Sequence, residues 1–495
     1  MLKLGWVSSF IGLGRCAICQ VPKVSSEGTR SLGIDHVVGV HWIYLYETAI
    51  EQIPSSIEHL VGLVCLNIND CKSLLGLPSA ICNLKSLRLL IGNGCSKVDK
   101  LPGEMECLEE LDLRGSAMRE PLVAMKNLKS LILSVRWGVD RIFGIRKNPD
   151  PERWGLVLSS LNRLGSLTIL DLSDCNIGEG AIPDDIGCLS SLQELDLRGN
   201  NFVSLPSSIR FLSELQTLQL QRCKRLEQLP DLPSSKYVFV DVNDCTSLKR
   251  LSDPSKLSEG ANVFDFRFSC LNCFRLVEEE GWINRIFAMI MRAAAEVRYP
   301  DDRIVCPGSE IPDWFDNRSV GDSIIVEPPL PPQTCSDWVG IALCVVFEDS
   351  EHLKHLGYNY FQIRCSWKLY DDTFTVGDLR SQHLLVFYLP NDPYLRDASN
   401  SHQLSFEGHY WSNGSANKEL KTSSIIKKYG ARLVYKRDLE EFNRILKIPM
   451  PAVYGYDDEA GPIDSGSGSS VCTREIWKNS AEYREGSCVY IRGNN

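Results

Sequence analysis

Apolar residues recur along the first half of the chain in one spacing: an apolar position, two variable positions, then apolar, variable, apolar. The last three positions alternate, which is the period of a β-strand with one buried face. Seven segments keep the pattern in full, and they start at Val40, Leu63, Leu108, Leu128, Leu167, Leu192 and Leu215. Two segments, starting at Leu87 and Tyr237, are degenerate, since Gly92 ends the first and no leucine remains in the second. The pattern predicts nine short strands that turn their apolar positions to one side.

The segments follow each other at steps of 20 to 25 residues, apart from one step of 39. This is the period of leucine-rich repeats, in which no repeat can bury its apolar face without a neighbour. We therefore predict an α/β leucine-rich-repeat solenoid, or horseshoe, over residues 40–250. The long step predicts an insertion near 134–163 that forms a loop or an irregular repeat. A second motif, with copies at 53–57, 77–81, 182–186 and 205–209, contains proline and predicts an extended or 3₁₀ back wall.

One position that follows the strands holds small polar residues in most repeats. Its members are Thr48, Cys71, Cys95, Cys175, Asn200, Cys223 and Cys245. Side chains at this place can satisfy backbone groups of the turn, so we interpret these cysteines as structural. The chain has 19 cysteines, an odd number spread over a long sequence, which favours reduced thiols over a disulfide framework.

The variable strand positions must face the concave side of the solenoid, because side chains alternate along a strand. One column of these positions holds Asn67, Asp112, Asp171, Asp196, Gln219 and Asp241. The next holds Asn69, Arg114, Ser173, Arg198 and Gln221. We expect the first column to form an acidic spine open to solvent. Two interpretations remain, namely ordinary solvated positions of the repeat or a surface that binds a partner protein.

The regular spacing fades after residue 250. Residues 251–300 are expected to form a cap on the open end of the solenoid and then a linker helix over 279–298, which Pro300 ends. Short apolar stretches over 301–448 predict an all-β sandwich, with strands at 324–326, 339–347, 361–369, 384–389 and 432–435. Residues 449–495 are rich in Gly and Ser and predict a flexible tail, and residues 1–39 match none of these units.

The net charge of −10 counts against a nucleic-acid partner, which requires a basic surface, and no apolar run reaches the length of a membrane span. Two Cys-x-x-Cys pairs, Cys16/Cys19 and Cys270/Cys273, lie too far apart in the chain for one zinc site. No nucleophile motif is present that would place a Ser, His and Asp together. We therefore expect no metal, no cofactor and no enzymatic activity, and a protein as the partner.

A longer motif opens the second predicted domain. It runs Cys306-Pro-Gly-Ser-Glu-Ile-Pro-Asp-Trp-Phe315, and Ser319-Val-Gly-Asp-Ser323 and Gly340-Ile-Ala-Leu-Cys344 follow. With the repeats, it resembles the C-terminal part of plant intracellular immune receptors of the TIR, nucleotide-binding, leucine-rich-repeat (TIR-NBS-LRR) class. The resemblance implies that residues 301–448 form the C-terminal jelly-roll and immunoglobulin-like domain of that class, the C-JID. The motif positions are Pro307, Gly308, Glu310, Ile311, Pro312, Trp314, Phe315 and Gly321.

In that class the repeats and the C-JID bind a pathogen effector protein. The resemblance thus implies a recognition module for plant defence that works in the cytoplasm, or in cytoplasm and nucleus. The sequence contains no G-x-x-x-x-G-K-[ST] loop, and neither a TIR nor a nucleotide-binding domain fits before Val40. We therefore expect a truncated member without NAD hydrolysis or nucleotide switching. The alternatives are an adaptor or decoy that pairs with a full-length immune receptor, and an enzyme with its site in the sandwich.

Overall fold

The structure is a computed structural model. It describes residues 39–120, 125–134, 154–233, 237–251, 265–278, 281–283, 303–321, 323–326, 337–349, 358–367, 370–376, 379–390, 402–412, 419–422 and 425–445. The expected N-terminal segment before residue 39, the tail from 449 and Cys16 and Cys19 lie outside these residues.

The nine strands predicted from the leucine spacing are confirmed. They are β1 (Trp42–Tyr44), β2 (Cys65–Asn67), β3 (Leu89–Ile91), β4 (Glu110–Asp112), β5 (Ser130–Ile132), β6 (Ile169–Asp171), β7 (Glu194–Asp196), β8 (Thr217–Gln219) and β9 (Tyr237–Asp241). Each pairs in parallel with its neighbours in the chain. The middle residues lie side by side, as Leu66 does between Ile43 and Leu90, and all three are buried. Each middle residue is covered by its two neighbours, which is why the repeats stack into a solenoid.

The back wall is built from 3₁₀ turns, as the proline motif predicts. The four turns are Ser55–His59, Ser79–Asn83, Asp184–Cys188 and Ser207–Phe211. Proline stands directly before each turn, and its carbonyl accepts the first hydrogen bond, as Pro54 does from Ile57 N at 3.1 Å. The isoleucine of each motif points into the core and is buried.

The C-terminal part of the predicted insertion belongs to the solenoid. It forms a helix, α1 (Trp154–Leu158), and a 3₁₀ turn at Leu161–Arg163. Trp154 is fully buried, and its indole N–H donates to the carbonyl of Cys175 at 2.7 Å. Residues 135–153 of the insertion lie outside the described residues.

The cysteine column forms a hydrogen-bonded ladder. Each thiol donates to a backbone carbonyl of the preceding repeat, as Cys71 does to Leu45 at 2.9 Å. The accepting residue is the last apolar residue of the leucine-rich pattern in that repeat. The amide of Asn200 makes the equivalent bond to Leu172 at 2.9 Å. Burial raises the pKa of Cys95 and Cys223 to about 12, so these thiols stay protonated donors. Their structural interpretation is supported by this geometry.

The described part of the stretch that was expected to cap the solenoid adds a strand to it. β10 (Asp265–Ser269) pairs in parallel with β9, and β11 (Arg303–Pro307) pairs in parallel with β10. Phe268 is buried at the position of the middle leucine, so an aromatic residue hides this repeat from the leucine pattern. Of the expected linker helix, residues 282–283 are helical, and 284–302 lie outside the described residues.

Beyond β11 the chain forms antiparallel strands in two sheets. The first continues the sheet of the repeats, in the order β11-β17-β14-β20-β12, with β12 (Asn317–Val320), β14 (Trp338–Phe347), β17 (His383–Pro390) and β20 (Ile426–Tyr435). The second contains β13 (Ser323–Val326), β15 (Tyr358–Trp367), β16 (Tyr370–Val376), β18 (His402–Ser412) and β19 (Glu419–Thr422). A helix, α2 (Lys436–Ile445), follows β20. Each of the five predicted strands overlaps an observed one, and the jelly-roll arrangement stays a prediction.

Strand β14 lies between two apolar cores. Cys344 packs into the core that continues from the repeats, whereas Leu343 and Val345 pack into a second core with Ile363 of β15. Both faces are buried, which explains why the sequence of β14 is a continuous apolar run. The sheet of the repeats therefore passes into the second domain without a break, and Ile363 joins the second sheet to it.

Candidate protein-binding surface

Two columns of side chains cross the concave face, at the positions that flank the buried middle residue of each strand. The strand register aligns the first column as Trp42, Cys65, Leu89, Glu110, Ser130, Ile169, Glu194, Thr217, Phe239 and Arg267. The second column runs Tyr44, Asn67, Ile91, Asp112, Ile132, Asp171, Asp196, Gln219, Asp241 and Ser269. Neighbouring strands lie about 4.8 Å apart, so each column is a continuous row.

The aspartates of the second column do not form an open acidic spine. An exposed fraction of only 1% to 8% is left to Asp112, Asp171, Asp196 and Asp241. Their carboxylates accept the amide N–H two residues further along, as Asp196 does from Arg198 at 3.2 Å. Asn67 accepts from the amide of Asn69 in the same way, at 3.0 Å. The expectation that these aspartates are exposed to solvent is therefore wrong. A short side chain with an acceptor oxygen at the end of a strand binds a backbone N–H group of the turn that follows.

Two arginines of the next column bind these carboxylates. Arg114 Nε lies 2.9 Å from Asp112 Oδ1, and Arg198 Nη2 lies 2.6 Å from Asp196 Oδ2. Both contacts are two-pronged, which fixes the planar guanidinium group as well as its charge. About a third of each arginine side chain stays exposed, 33% for Arg114 and 31% for Arg198. The centre of the concave face thus presents guanidinium edges whose charge is balanced by the aspartates.

The repeats of β8 and β9 present amide groups on the concave face. Gln221 Nε2 donates to Asp241 Oδ2 at 2.6 Å, and the amide of Asn243 donates to Oδ1 at 3.0 Å. Burial raises the pKa of Asp241 to about 6, and these two hydrogen bonds oppose the rise. Gln219 is half-buried beside them. Asp241 is therefore a buried acceptor of this face and not a surface charge.

The first three strands carry an apolar surface, which we name the aromatic patch and define as Trp42, Tyr44, Tyr46, Leu89 and Ile91. Tyr44 and Tyr46 are 56% and 38% exposed, and the other three side chains are half-buried. The rings of Trp42 and Tyr44 are nearly parallel, with centroids 6.5 Å apart. The pattern of charged residues does not predict this patch. The sequence does indicate it in another way, because both variable positions of β1 and of β3 hold apolar residues.

The motif that opens the second domain packs inward against β17 and β20. Ile311 and Phe315 are buried, and a Cβ atom on Gly430 of β20 would lie 2.6 Å from Ile311 Cγ2. A Cβ atom on Gly308 would lie 2.7 Å from Leu384 Cδ1. These two glycines allow the motif and the sheet to approach closely. The motif residues Pro307, at the end of β11, and Pro312, whose carbonyl accepts from Phe315 N at 3.1 Å, shape the turn.

Trp314 is held in place by its neighbours. The guanidinium carbon of Arg432 lies 4.8 Å from the ring centroid, and the ring of Phe315 meets it edge-on at 5.2 Å. Arg432 also donates to Asp438 at 2.8 Å. Trp314 is therefore packed by these contacts. Glu310 points outward and pairs with Lys428, and Gly321 adopts a φ of 134° that favours glycine.

A buried polar group joins the repeats to the second domain. The backbone amide of Asn272 donates to Nε2 of His383 at 2.9 Å. The side-chain Oδ1 of Asn272 accepts from the backbone amide of Arg380 at 3.0 Å. Its Nδ2 donates to Asp244 at 3.0 Å. His383 is fully buried, and burial lowers its pKa, which favours the neutral ring that can accept a hydrogen bond. The two units are therefore hydrogen-bonded to each other as well as sharing a sheet.

The Cys270-x-x-Cys273 pair lies in the last repeat of the solenoid. Among the residues that the structure describes, no group of three or more His, Cys, Asp or Glu is placed to hold a metal ion. The thiols of Cys270 and Cys273 donate to the carbonyls of Val305 and Val242, at 3.2 and 3.1 Å. They thus serve the solenoid. Over the same residues, no helix has the length and apolarity needed to cross a membrane.

Two family models match the chain. The C-JID domain matches residues 306–440, and the Leucine Rich Repeat matches residues 166–189 and 191–212. The chain therefore contains leucine-rich repeats and a C-JID domain over these residues.

Curated relatives narrow this class. The chain is 33% identical over 362 residues to Disease resistance-like protein DSC1 of Arabidopsis thaliana, covering 68% of this chain and 28% of that protein. It is 31% identical over 323 residues to TMV resistance protein N of Nicotiana glutinosa, covering 61% and 26%. It is 25% identical over 449 residues to Disease resistance protein RPS4B of Arabidopsis thaliana, covering 84% and 32%. The chain is a homologue of plant TIR-NBS-LRR disease resistance proteins, as its motifs predict, and it spans 26% to 32% of the length of these three.

Proposed function

We propose that the chain recognises a pathogen effector protein in plant defence, through the concave face of its repeats. Relatives named as disease resistance proteins support the defence role. The observation that carries the proposal is the aromatic patch, where Tyr44 leaves 56% of its surface exposed beside a stacked Trp42. Clustered apolar and aromatic side chains on a polar surface are typical of protein interfaces, and tyrosine and tryptophan contribute strongly to binding there.

The polar half of the face supplies orientation. Arg114 and Arg198 offer guanidinium edges that are pre-positioned by their aspartates. Asn67, Gln219 and Gln221 add half-buried amide groups. In this proposal the buried aspartates do not contact the partner directly. They position the neighbouring groups that donate hydrogen bonds to them, and they are Asp112, Asp171, Asp196 and Asp241. Ten strands at a spacing of about 4.8 Å give a face about 43 Å long, which is enough for an interface of ordinary size.

We assign the second domain a supporting role. It continues the sheet of the repeats through β11 and is tied to them by Asn272 and His383. Its motif residues pack inward, and Glu310 is the exposed member. The proposed site of action is the cytoplasm, or cytoplasm and nucleus, where the TIR-NBS-LRR class works.

The proposed role is binding without catalysis or cofactor. Leucine-rich repeats and C-JID domains of resistance proteins are interaction modules. A pocket on the 3₁₀ side of the solenoid is lined by Cys82, Lys85, Met105, Glu106 and Cys107, among others. It holds one carboxylate and no histidine.

Recovery of a direct partner tests the proposal. The tagged full chain would be expressed in infected leaves, cross-linked and purified, and each recovered protein would then be titrated against the purified chain by calorimetry. We expect a pathogen protein to bind directly. Recovery of a plant immune receptor alone would instead support the adaptor or decoy. If neither binds the purified chain, recognition is refuted.

A pair of variants tests the surface. Thr217→Arg with Gln219→Arg places two bulky cations on β8 in the polar half of the concave face, and we expect at least tenfold weaker binding. Ser213→Arg with Glu214→Arg is the matched control, because both residues are exposed just before β8 and outside the two columns. Equal loss in both variants would contradict a concave site.

A further inference from the structure

The concave face is divided in two by chemistry. On β1 to β3 the two columns hold Trp42, Tyr44, Cys65, Asn67, Leu89 and Ile91. All but Asn67 are apolar, and in-register pairing makes them neighbours across three strands. From β4 onward every strand to β9 carries at least one charged or polar residue in the columns. The apolar surface is therefore concentrated at the β1 end.

Glu110 borders this apolar surface. It lies beside Leu89 in the first column and is half-buried. Burial raises the pKa of Glu110, and the neighbouring Glu109 raises it further. Lys129 lowers the pKa of Glu110 in part, but its Nζ lies 2.8 Å from the carboxylate of Glu109, and Arg88 Nε lies 3.4 Å from that same carboxylate. The charge of ionised Glu110 is thus only partly balanced by these neighbours.

We propose that the aromatic patch and Glu110 together form the main contact for the partner, and that the partner presents an aromatic or aliphatic anchor with a lysine or arginine close to it in sequence. This deepens the recognition role and rests on it. The anchor packs against Trp42, Tyr44, Leu89 and Ile91, and the basic group reaches Glu110.

The geometry limits the spacing of the two partner groups. Glu110 is one strand from Leu89 and three strands from Trp42, or about 5 to 14 Å at the usual strand separation. An extended segment advances about 3.3 Å per residue. The basic residue should therefore lie within about four positions of the anchor.

The electrostatics select the same partner. A cation within a few ångströms favours an ionised carboxylate, so a basic group relieves the imbalance at Glu110. An acidic segment or a nucleic-acid backbone would be repelled at this place. An uncharged anchor alone would leave Glu110 buried against an apolar surface, at a further desolvation cost.

Selection from a displayed library of random dodecapeptides on the full chain tests the proposal. We expect enriched peptides to share an aromatic or large aliphatic residue with Lys or Arg within four positions. Tyr44→Ser should weaken them at least tenfold by calorimetry, as expected for a central aromatic contact. Phe211→Ser is the matched control, because Phe211 is 58% exposed and lies on the 3₁₀ side, and it should leave binding within twofold.

Charge reversal gives a second, independent measurement. Glu110→Lys should weaken the basic peptides at least tenfold and, in a new selection, enrich acidic ones. Glu214→Lys serves as its control, since Glu214 is an exposed glutamate just before β8 and outside the two columns. Circular dichroism of each variant establishes that it is folded.

Several outcomes would overturn the proposal. These are enriched peptides without a basic residue, binding that ignores Tyr44 or Glu110, and the absence of any enriched peptide. Self-association that Tyr44→Ser abolishes would identify a second copy of the chain as the occupant instead. If a recovered effector binds Tyr44→Ser normally but not the Thr217/Gln219 variant, recognition stands and this inference fails. If the purified chain binds no partner protein, recognition fails whatever the peptides show.

Discussion

Asn200 is the position at which the ladder of the solenoid should be most sensitive to change. It is fully buried where most repeats carry a thiol. Its Nδ2 donates to the carbonyls of Leu172 and Leu197, at 2.9 and 2.7 Å, and its Oδ1 accepts the amide of Ile177 at 2.9 Å. Asn200→Ala would remove all three bonds and leave these backbone groups without this partner.

The size of the effect follows from the number of bonds. A buried polar group left unsatisfied costs about 1–3 kcal/mol, so three give about 3–6 kcal/mol after some relaxation. That is comparable with the stability of a whole domain, about 5–15 kcal/mol. Asn200→Cys restores the bond to the Leu172 carbonyl that thiols make elsewhere, so it should cost about 2–4 kcal/mol. Cys223→Ala should cost about 1 kcal/mol, because Leu197 keeps its bond from Asn200.

Urea unfolding followed by circular dichroism, with hydrogen exchange at the amide of Ile177, measures this series. We expect the loss of stability to rank Asn200→Ala above Asn200→Cys and both above Cys223→Ala. Exchange at Ile177 should accelerate in both Asn200 variants. If Asn200→Ala were no more destabilising than Cys223→Ala, the ladder bonds would contribute little, and this account of the column would be refuted.

Two further predictions concern buried charge. Asp196→Lys should lower the free energy of unfolding by about 3–5 kcal/mol, since it puts a cation at the buried position of Asp196, beside Arg198. The exposed Glu194→Lys should change it by less than about 0.5 kcal/mol in the same urea titration. The lowered pKa of His383 means that its hydrogen bond from Asn272 stabilises the fold fully above about pH 6.5, and that this stabilisation is lost as the pH falls through the folded-state pKa. The urea midpoint of the native chain should therefore drop more between pH 7.5 and 5 than that of His383→Gln, and equal drops would contradict this role.

The nine strands were predictable because their signal is local and repeated. A leucine at the middle position is buried by two identical neighbours, so the spacing alone predicts the contact. The tenth repeat lacks that signal, since Phe268 replaces the leucine and its partner β11 belongs to the next unit. Strand β12 has no apolar alternation at all, because its four residues are exposed and it pairs only through its backbone with β20 among the described strands.

The concave face was harder to predict for a different reason. Period-two alternation places Asp112 and Asp196 on that face, but whether they are exposed depends on where their carboxylates find donors. Those donors are the amide and the guanidinium group two residues along. The aromatic patch likewise depends on register across strands, since Trp42 and Leu89 become neighbours of Cys65 only when the sheet is assembled. Composition and net charge contain neither fact.

The length of the sheet constrains how the two units can share a partner. Strand β11 is ten strand spacings from β1, about 48 Å along the sheet. A compact protein of 100 residues has a radius of gyration of about 13 Å, so it cannot contact the aromatic patch and the second domain together unless the curvature of the solenoid brings them closer. A small partner anchored at Tyr44 should therefore lose affinity for Tyr44→Ser and be insensitive to Glu310→Lys. A large or elongated partner should lose affinity for both variants. Comparing these two variants with one effector would thus measure the reach of the partner as well as the position of the site.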